Sequence, residues 1–330
     1  MSGVLLLIVY YLYFFTGFKK LGASSTKPMG PVSVVIAARN ERENLSKNLP
    51  AILKQKYDYD FEVVVVNDGS FDGSKDFLEN LAKEHANLKV VTLEIDERFQ
   101  KGKKFALTIG IKAATHEHLL LTDADCMPSS DLWIQSMSST FEDKQIVLGY
   151  APLKVRMTPL GSLISYETFH TAIQYFGYAR RQKTYMGVGR NLAYTKELFF
   201  GNKGFATHQH IMSGDDDLFI QEVASKTNVA INVDRDAFTF SPAPKGVSKW
   251  IKQKVRHLST SKEYKTSIKL LLGFYSFLQL LTYLCLGIFA ILYPSLWIFP
   301  VIIIGAKWLI QWIVMFNPAR ILNAKKVLYA

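Results

Sequence analysis

The stretch FEVVVVNDGS, from Phe61 to Ser70, joins a short apolar run to a group of polar residues. The run Phe61–Val66 predicts a buried strand, because valine-rich runs of this length that end in turn residues are typical of one. The polar residues Asn67–Ser70 then form a strand-ending turn signal. Similar apolar runs occur at Val32–Ala37, Leu88–Leu93 and His118–Thr122.

Helical patterns lie between these strands, at Glu43–Gln55, Lys75–His85 and Gly102–Ala114. Apolar strands that alternate with helices predict an α/β fold, with a mostly parallel sheet and helices on both faces. In such sheets ligands bind beyond the carboxyl ends of the strands. The polar residues that follow each strand are therefore the candidate site.

Acidic and basic residues follow the predicted strands. They are Arg39 and Glu41 after the first, Asp68 after the second, Lys101, Lys103 and Lys104 after the third, and Asp123 and Asp125 after the fourth. Carboxylates hold a divalent ion that binds phosphate oxygens, and a lysine neutralises the remaining charge. Two of the three lysines are expected to be in solvent. The sequence has no G-x-G-x-x-G or G-x-x-x-x-G-K-[ST] motif, which disfavours the usual dinucleotide fold and a P-loop.

The net charge of +11 is confined to one end of the chain. Residues 1–240 hold 27 Lys and Arg and 27 Asp and Glu, whereas residues 241–330 hold 12 Lys and Arg and one acid, Glu263. The surplus lies beside the most apolar segments, which favours anionic membrane lipids, and no nucleic acid, as the partner. Two cysteines exclude a disulfide framework and a four-thiolate zinc site. An apolar content of 49% excludes a disordered chain.

Three apolar runs indicate membrane segments, at Val4–Phe18, Ile268–Tyr293 and Leu296–Phe316. The first is shorter than the roughly 30 Å hydrocarbon core, so it is a short anchor, a re-entrant segment or a signal-peptide core. It lacks a clear cleavage site, which favours an anchor. The other two predict a transmembrane hairpin, and the alternative is two buried helices of a soluble protein.

Basic residues orient these segments. Lys19 and Lys20 follow the first run, Lys262–Lys269 precede or open the second, and Lys325 and Lys326 follow the third. The positive-inside rule then predicts a multi-pass protein, of the bacterial inner-membrane type, with residues 19–267 and the tail in the cytoplasm. Lys307 interrupts the third run, and we expect it to snorkel rather than face a protein or lipid-phosphate partner.

These features divide the chain into five parts. They are an N-terminal membrane anchor (1–20), an α/β domain (30–240), a basic amphipathic interface segment (241–267), a transmembrane hairpin (268–317) and a cytoplasmic tail (318–330).

Four motifs in a fixed order resemble those of the family 2 inverting glycosyltransferases, which have the GT-A fold. They are VSVVIAARNERENL (Val32–Leu45), VVVVNDGSFDGS (Val63–Ser74), KGKKFALTIGI (Lys101–Ile111) with TDADC (Thr122–Cys126), and SGDDDLFIQE (Ser213–Glu222). The run Gln253–His257 resembles the family's Q-x-x-R-W motif, with His in place of Trp. The resemblance covers about residues 30–260.

The resemblance implies a site for a nucleoside diphosphate sugar, with a UDP-sugar as the first choice. The residues implied on the donor side are Ala37, Arg39 and Glu41 around the nucleotide, Asp68 at the base, Lys103 near the base and diphosphate, Asp123 and Asp125 as the Asp-x-Asp pair, and Gln253 and Arg256. Asp125 is the expected direct ligand of Mg²⁺ or Mn²⁺, with Asp123 beside it. The alternatives are that Asp123 and Asp125 cap a helix near residues 130–139, and that Asn67–Ser70 is only a turn.

The cluster Asp215, Asp216 and Asp217 is expected to hold the general base, because an inverting transfer needs one carboxylate to deprotonate the acceptor hydroxyl. Crowding of like charges, or burial, raises a carboxyl pKa toward the working pH. Family patterns place the base at Asp215 in one frame and at Asp216 in the other, and Asp215 is the first choice. The alternative is that all three are solvated acids that cap the next helix.

On the acceptor side, Gly187–Asn191 resembles the family's glycine-rich segment, in which Gly189 and Asn191 would face the sugar; the alternative is an ordinary loop. Trp250, Gln253, Arg256 and His257 share one face of a helix by their spacing. Arg256 would contact the diphosphate, and Trp250 or His257 would pack on the acceptor.

The resulting hypothesis is a membrane-anchored, metal-dependent hexosyltransferase. It would act on a lipid-linked or membrane-proximal glycan acceptor in the synthesis of a cell-envelope polysaccharide or glycolipid. The alternatives are a processive polysaccharide synthase subunit, a membrane nucleotidyltransferase and a degenerate, non-enzymatic scaffold.

Overall fold

A computed structural model describes residues 2–18, 27–94, 102–211 and 213–329. Lys19, Lys20 and Lys101, which entered the charge argument above, lie outside the described residues. The helices are α1 (Ser2–Phe14), α2 (Arg42–Leu53), α3 (Ser74–Glu84), α4 (Lys103–Ala113), α5 (Trp133–Ser138), α6 (Pro159–Arg180), α7 (Lys196–Gly201), α8 (Asp217–Val223), α9 (Val247–Thr260), α10 (Thr266–Leu292) and α11 (Ile298–Ile321). The strands are β1 (Val32–Ala38), β2 (Phe61–Asp68), β3 (Leu88–Leu93), β4 (His118–Leu121), β5 (Met127–Pro128), β6 (Ile146–Leu148), β7 (Leu153–Lys154), β8 (Leu192–Thr195), β9 (Val229–Ile231) and β10 (Thr239–Pro242).

The main sheet has seven strands in the order β3-β2-β1-β4-β8-β6-β9. Every pairing in it is parallel except those of β8, which runs antiparallel to both β4 and β6. A second sheet of three short strands has the order β5-β10-β7. The expected α/β class with a mostly parallel sheet is therefore confirmed. The first four strands also fall where the apolar runs predict them.

The core lies on both faces of the sheet, because alternate side chains of a strand point to opposite sides. In β2, Val64 packs with Leu107 of α4 on one face, while Val63 and Val65 pack with Leu49 of α2 on the other. All three valines are fully buried. Helices on both faces explain why β2 is almost uniformly apolar rather than alternating.

Helix α4 approaches the sheet closely at Gly110. A Cβ atom at this position would lie 2.7 Å from Val35 Cγ1 of β1 and 2.9 Å from Val66 Cγ2 of β2. Only a residue without a side chain permits this contact. Since α4 begins at Lys103, its close packing also fixes that lysine over the carboxyl ends of the strands.

Two helices, α10 and α11, are long and apolar enough to cross a membrane. Large apolar side chains stay exposed along both, for example Leu284, Ile291 and Leu309. This exposure differs from the buried core helices of a soluble domain, which was the alternative considered above. The shorter helix α1 packs against α6, α10 and α11, and its Tyr11 and the residue that follows the helix, Phe15, are completely buried.

The expectation that Lys307 snorkels is wrong. Its side chain in α11 is 2% exposed, and its ammonium group donates to the hydroxyl of Tyr283 in α10 at 2.9 Å. The neighbouring helix supplies a partner that the sequence pattern alone does not reveal. The expected domain boundary at residue 240 also falls inside β10, which pairs with both β5 and β7.

Replacement of Gly110 by alanine is expected to destabilise the fold. The added methyl group must displace buried valines on two strands, and overpacking of this kind costs about 1–3 kcal/mol in free energy of unfolding. The midpoint of thermal unfolding, measured on the protein in detergent, should fall. The control is Gly201→Ala, because a Cβ at Gly201 has open space around it. An unchanged midpoint for Gly110→Ala would contradict the close packing.

Candidate active site

The carboxyl ends of β1, β2 and β4 meet at one edge of the main sheet, as expected for neighbouring parallel strands. Asp68, at the end of β2, is 8% exposed and lies 4.0 Å from the guanidinium of Arg39. Ala37 of β1 is partly buried. The structure therefore gathers the residues expected around the nucleotide on one rim, which we call the donor rim.

Glu41 is the residue directly before α2, at the same rim. Its carboxylate accepts a hydrogen bond from Asn44 Nδ2 at 2.6 Å. Burial, reinforced by the charges of Asp125 and Asp123, raises the pKa of Glu41 above its usual value. The carboxyl group of Glu41 is thus close enough to Asp123 and Asp125 for their charges to affect its pKa.

Asp123, Asp125 and Cys126 form the acidic cluster at the end of β4. One ligand atom from each lies within 4.8 Å of the others. Burial, and then the charge of Asp123, raise the pKa of Asp125, as crowding of like charges does. Burial also raises the pKa of the Cys126 thiol, so this sulfur stays protonated and donates to Asp125 Oδ1 at 3.4 Å. The available ligands are thus two carboxylates, which fit a hard ion such as Mg²⁺ or Mn²⁺.

Neither aspartate caps the following helix. The residue at the N-terminal cap of α5 is Leu132, and it makes no side-chain cap. This removes the structural alternative considered for the pair.

Lys103 contacts both the Asp-x-Asp pair and the cluster Asp215–Asp217. Its ammonium group lies 2.9 Å from Asp123 Oδ1 and 2.9 Å from Asp215 Oδ2. Partial burial disfavours the charged form, but the carboxylates of Asp123, Asp215 and Asp216 outweigh it and raise the pKa of Lys103 well above its usual value. Lys103 therefore stays charged at any working pH.

Lys104, its neighbour, has a different role from the solvated one expected. Its side chain is 3% exposed, and its ammonium group donates to the backbone carbonyls of His208 at 2.6 Å and Ile211 at 3.1 Å. These bonds hold the loop before Asp215 against α4. Lys104 therefore positions the acid cluster, while Lys103 contacts it directly.

The three aspartates of the cluster have three different environments. Asp217 is 7% exposed, and its Oδ2 accepts hydrogen bonds from Thr260 Oγ1 at 2.6 Å and from the Tyr264 hydroxyl at 2.7 Å. Asp216 Oδ2 accepts from the Gly189 backbone N–H at 2.8 Å, and its Oδ1 accepts from the N–H of Asp217 at 2.9 Å. Asp215 is paired with Lys103. The triplet is therefore not a set of three solvated helix caps.

These environments separate the acidities of Asp215 and Asp216. Burial disfavours the charged form of Asp215, but the ion pair with Lys103 outweighs it and lowers the pKa below its usual value. Burial, and then the charges of Asp215 and Asp217, raise the pKa of Asp216 to about 7. A general base works best with a pKa near the operating pH. The arrangement therefore favours Asp216 over Asp215, which is the first choice from sequence.

The glycine-rich segment contacts this cluster through the backbone N–H groups of Gly187 and Gly189. Gly187 donates to the backbone carbonyl of Asp216 at 3.4 Å, whereas Gly189 reaches a carboxylate. A Cβ at Gly189 would lie 3.5 Å from Lys103 Nζ and from both Asp215 and Asp216 carboxylates. Asn191, the other residue expected to face the acceptor, is fully buried. Its amide donates to the carbonyls of Tyr150 and Ala237, and its Oδ1 accepts from the indole of Trp133. Asn191 is thus a core residue, and its assignment to the acceptor side is wrong.

The segment with the Q-x-x-R motif forms α9. Trp250 Nε1 donates to Glu167 of α6 at 3.5 Å, and Lys254 forms an ion pair with the same carboxylate. Arg256 and His257 are exposed, and within the described ranges Gln253 and Arg256 make no side-chain hydrogen bond or ion pair. The structure therefore does not bring Gln253 or Arg256 into contact with the donor rim.

Sequence reasoning missed several residues that hold this site together. Lys104, Thr260 and Tyr264 position the acids, as described above. Arg190 lies between Gly189 and Asn191, and its backbone carbonyl accepts from Thr122 and Thr239 at 2.9 Å each. Its positive charge also lowers the pKa of Asp125. The only sequence signal for Arg190 was its place within the glycine-rich segment.

Comparison with known proteins supports the reading of these motifs. Glycosyltransferase AglE of Haloferax volcanii is 35% identical over 118 residues, which is 36% of this chain and 36% of that protein. The poly-beta-1,6-N-acetyl-D-glucosamine synthase of Staphylococcus epidermidis is 33% identical over 100 residues, which is 30% of this chain and 23% of that protein. The matched segments thus span about a third and about a quarter of these curated relatives.

A solved structure shows the same fold over nearly the whole chain. The mannosyltransferase PcManGT from Pyrobaculum calidifontis, in complex with GDP-Man and Mn²⁺, has a TM-score of 0.61. The match covers 99% of this chain and 93% of that one at 20% identity, so it shows the GT-A fold alone. The family model for glycosyl transferase family 2 matches residues 33–199, a segment that contains β1 to β8 and the Asp-x-Asp pair. The chain belongs to glycosyltransferase family 2.

Proposed function

We propose that this chain is a membrane-bound inverting glycosyltransferase. It transfers a sugar from a nucleoside diphosphate sugar to a lipid-linked or membrane-proximal glycan acceptor. The single observation that carries the proposal is the double ion pair of Lys103, 2.9 Å from both Asp123 and Asp215. One ammonium group thereby links the Asp-x-Asp pair, where a diphosphate would bind, to the acids that would activate an acceptor.

The donor rim supplies the groups that a nucleoside diphosphate needs. Asp68, with Arg39 beside it, lies where the nucleoside would bind. Asp125 and Asp123 would hold Mg²⁺ or Mn²⁺, which neutralises charge on the diphosphate when bound. Lys103, 2.9 Å from Asp123, would add a positive charge beside this pair. The resemblance of the motifs implies a UDP-sugar, and the structural neighbour was solved with GDP-Man, so both UDP- and GDP-sugars are candidate donors.

In the transfer step, we assign the general base to Asp216. Its carboxylate takes the proton of the acceptor hydroxyl as the hydroxyl oxygen forms a bond to the anomeric carbon. The bond from that carbon to the diphosphate oxygen breaks, and the electron pair leaves with the diphosphate. Because attack and departure occur on opposite faces, the anomeric configuration inverts. Lys103 stabilises the charge that develops on the diphosphate.

The hairpin α10–α11 and helix α9 would place this site at a membrane. Val247, Ile251, Val255 and Leu258 form an exposed apolar stripe along α9, and Lys249 and Lys252 are exposed on the same helix. Such a helix is suited to lie in the interface of an anionic bilayer. With the basic residues near both ends of the hairpin, this arrangement supports a cytoplasmic catalytic domain.

The function is tested by a screen of radiolabelled nucleotide sugars with native lipid extract as acceptor. We expect label to enter the organic phase with at least one UDP- or GDP-sugar, and chelation of divalent ions to remove this transfer. Product size separates a single transfer from processive synthesis. If no nucleotide sugar supports transfer to lipid or glycan acceptors, the proposal is wrong.

Replacement of Asp125 by asparagine is expected to lower kcat/KM by ~10²-fold or more, because the leaving diphosphate loses much of its charge stabilisation. Donor binding, measured by titration calorimetry, should survive in part through the nucleoside contacts. The control is Asp143→Asn, which changes an exposed aspartate that pairs only with the adjacent Lys144. Full activity of Asp125→Asn would refute the metal assignment.

The base assignment is tested by the pH dependence of kcat/KM for two variants. The base acts when deprotonated, so wild-type activity should rise with pH through about 7 and then level off. Asp216→Asn should lower turnover by ~10²- to 10⁴-fold and remove this rise. Asp215→Asn should keep turnover within about tenfold and move the rise to lower pH, because it removes a like charge that raises the pKa of Asp216.

The two variants act as controls for each other. Retained turnover in Asp216→Asn, together with loss in Asp215→Asn, would transfer the role of base to Asp215. Retained turnover in both would place the base outside the cluster.

A further inference from the structure

A cavity of about 470 Å³ lies between α6, α10 and α11, and none of its lining residues belongs to the donor rim. Its walls are unusually polar for the two most apolar helices of the chain. They include the hydroxyls of Tyr166, Tyr275 and Tyr283, the amide of Gln279 and the ammonium group of Lys307. Polar groups in membrane-spanning helices are costly and usually serve a function.

Lys307 has no negative partner in this cavity. Its ammonium group donates to the Tyr283 hydroxyl at 2.9 Å and lies 3.5 Å from Gln311 Oε1, and both of these oxygens are neutral. Among the described residues, no carboxylate lies within ion-pair distance of it. His170, on the same wall, adds no charge, because burial lowers its pKa to about 4. Within the described segments, Lys307, which is 2% exposed, thus has no carboxylate partner, only two neutral hydrogen-bond acceptors and the ring of Tyr283 at 4.8 Å.

The groups around Lys307 are mostly donors. The Tyr283 oxygen also accepts from Trp308 Nε1 at 2.9 Å, so its own proton is left for another acceptor. The remaining N–H of the Lys307 ammonium group and the phenol O–H of Tyr283 are therefore both free for a ligand at one point of the wall. This set is complementary to an anion with several oxygens.

A second feature of the cavity indicates a ligand that also carries a hydroxyl group. Gln279 Oε1 is buried, and within the described part of the chain no group donates to it. A buried acceptor without a partner costs about 1–3 kcal/mol. A ligand hydroxyl would satisfy this oxygen while an anionic group contacts Lys307.

We propose that this cavity binds the phosphate-bearing headgroup of a membrane lipid, with the phosphate on Lys307 and a headgroup hydroxyl on Gln279. The inference rests on the membrane insertion proposed above. Tyr283 and Trp308, which are 39% and 57% exposed, form the rim of the cavity. Acyl or prenyl chains would leave across this rim onto the exposed apolar surfaces of α10 and α11.

The cavity is connected to the catalytic half through α6. Tyr166 and His170 line it, and Glu167, between them in sequence, holds Trp250 and Lys254 of α9. The C-terminal residue of α9, Thr260, in turn donates to Asp217. A bound headgroup therefore contacts the helix on which the segment with the Q-x-x-R motif is anchored.

The test uses the full chain in neutral detergent without nucleotide sugar. Three probes are titrated against tryptophan fluorescence and checked by native mass spectrometry. They are dioctanoyl phosphatidylglycerol, dioctanoylglycerol and inorganic phosphate. We expect the phosphatidylglycerol to bind at least tenfold more tightly than either of the others, because only it has chains, a phosphate and hydroxyls together.

The variant Lys307→Met should weaken binding of phosphatidylglycerol at least tenfold. It should not lower the thermal midpoint of the lipid-free protein, because it replaces an unpaired buried charge with an apolar side chain of similar length. Gln279→Leu should weaken binding less. The control Lys226→Met removes an exposed charge from the loop after α8, and it should bind like the wild type.

Equal binding of phosphatidylglycerol and dioctanoylglycerol by the wild-type chain would overturn the proposal whether or not the variants fold. So would unchanged binding by Lys307→Met. Equally tight binding of inorganic phosphate would show a free-anion site instead of a lipid site. Since no donor is present, lipid binding and sugar transfer can each fail without the other.

Discussion

The double ion pair of Lys103 is the interaction on which the rest of the site depends. Asp123 follows β4 directly, whereas Asp215 is more than ninety residues further along the chain, after β8. A single ammonium group holds the two carboxylates in one place, at 2.9 Å from each. Without it, the like charges of Asp123 and Asp215 would repel each other. The same charge also sets the acidities of the neighbouring acids, because it lowers the pKa of Asp215 and leaves Asp216 as the weaker acid.

Lys103 can hold both carboxylates because the helix that carries it and the segments around it are fixed by packing and hydrogen bonds. Gly110 lets α4 lie directly on β1 and β2, and Lys104 ties the loop before Asp215 to the same helix. Gly189 then completes the cluster with a backbone N–H rather than a side chain. The reactive groups therefore stand on elements fixed by core packing, which is the usual requirement for a preorganised electrostatic site.

Local pattern was enough to predict the sheet and the donor rim. A buried parallel strand must be apolar, and the carboxyl ends of neighbouring parallel strands lie at the same edge of the sheet. Asp68, Asp123 and Asp125 could therefore be placed together from the sequence alone. Asn191 could not be recognised as a core residue, because its burial depends on partners such as Trp133 that are distant in the chain. Lys103 and Lys104 are adjacent in sequence but point to different partners. Lys307 likewise required knowledge of which helix packs beside it.

The hydrogen bonds of Asp217 show how far along the chain the structural unit around the site extends. Charge balance suggests a catalytic unit that stops near residue 240, yet β10 crosses that point and Asp217 relies on Thr260 and Tyr264. A fragment cut at residue 240 would keep every acid of the site and lose both hydroxyls that hold the last one. The residues from β10 to Tyr264 are thus a structural part of the unit that holds these acids, and they cannot be cut away from it as a separate module.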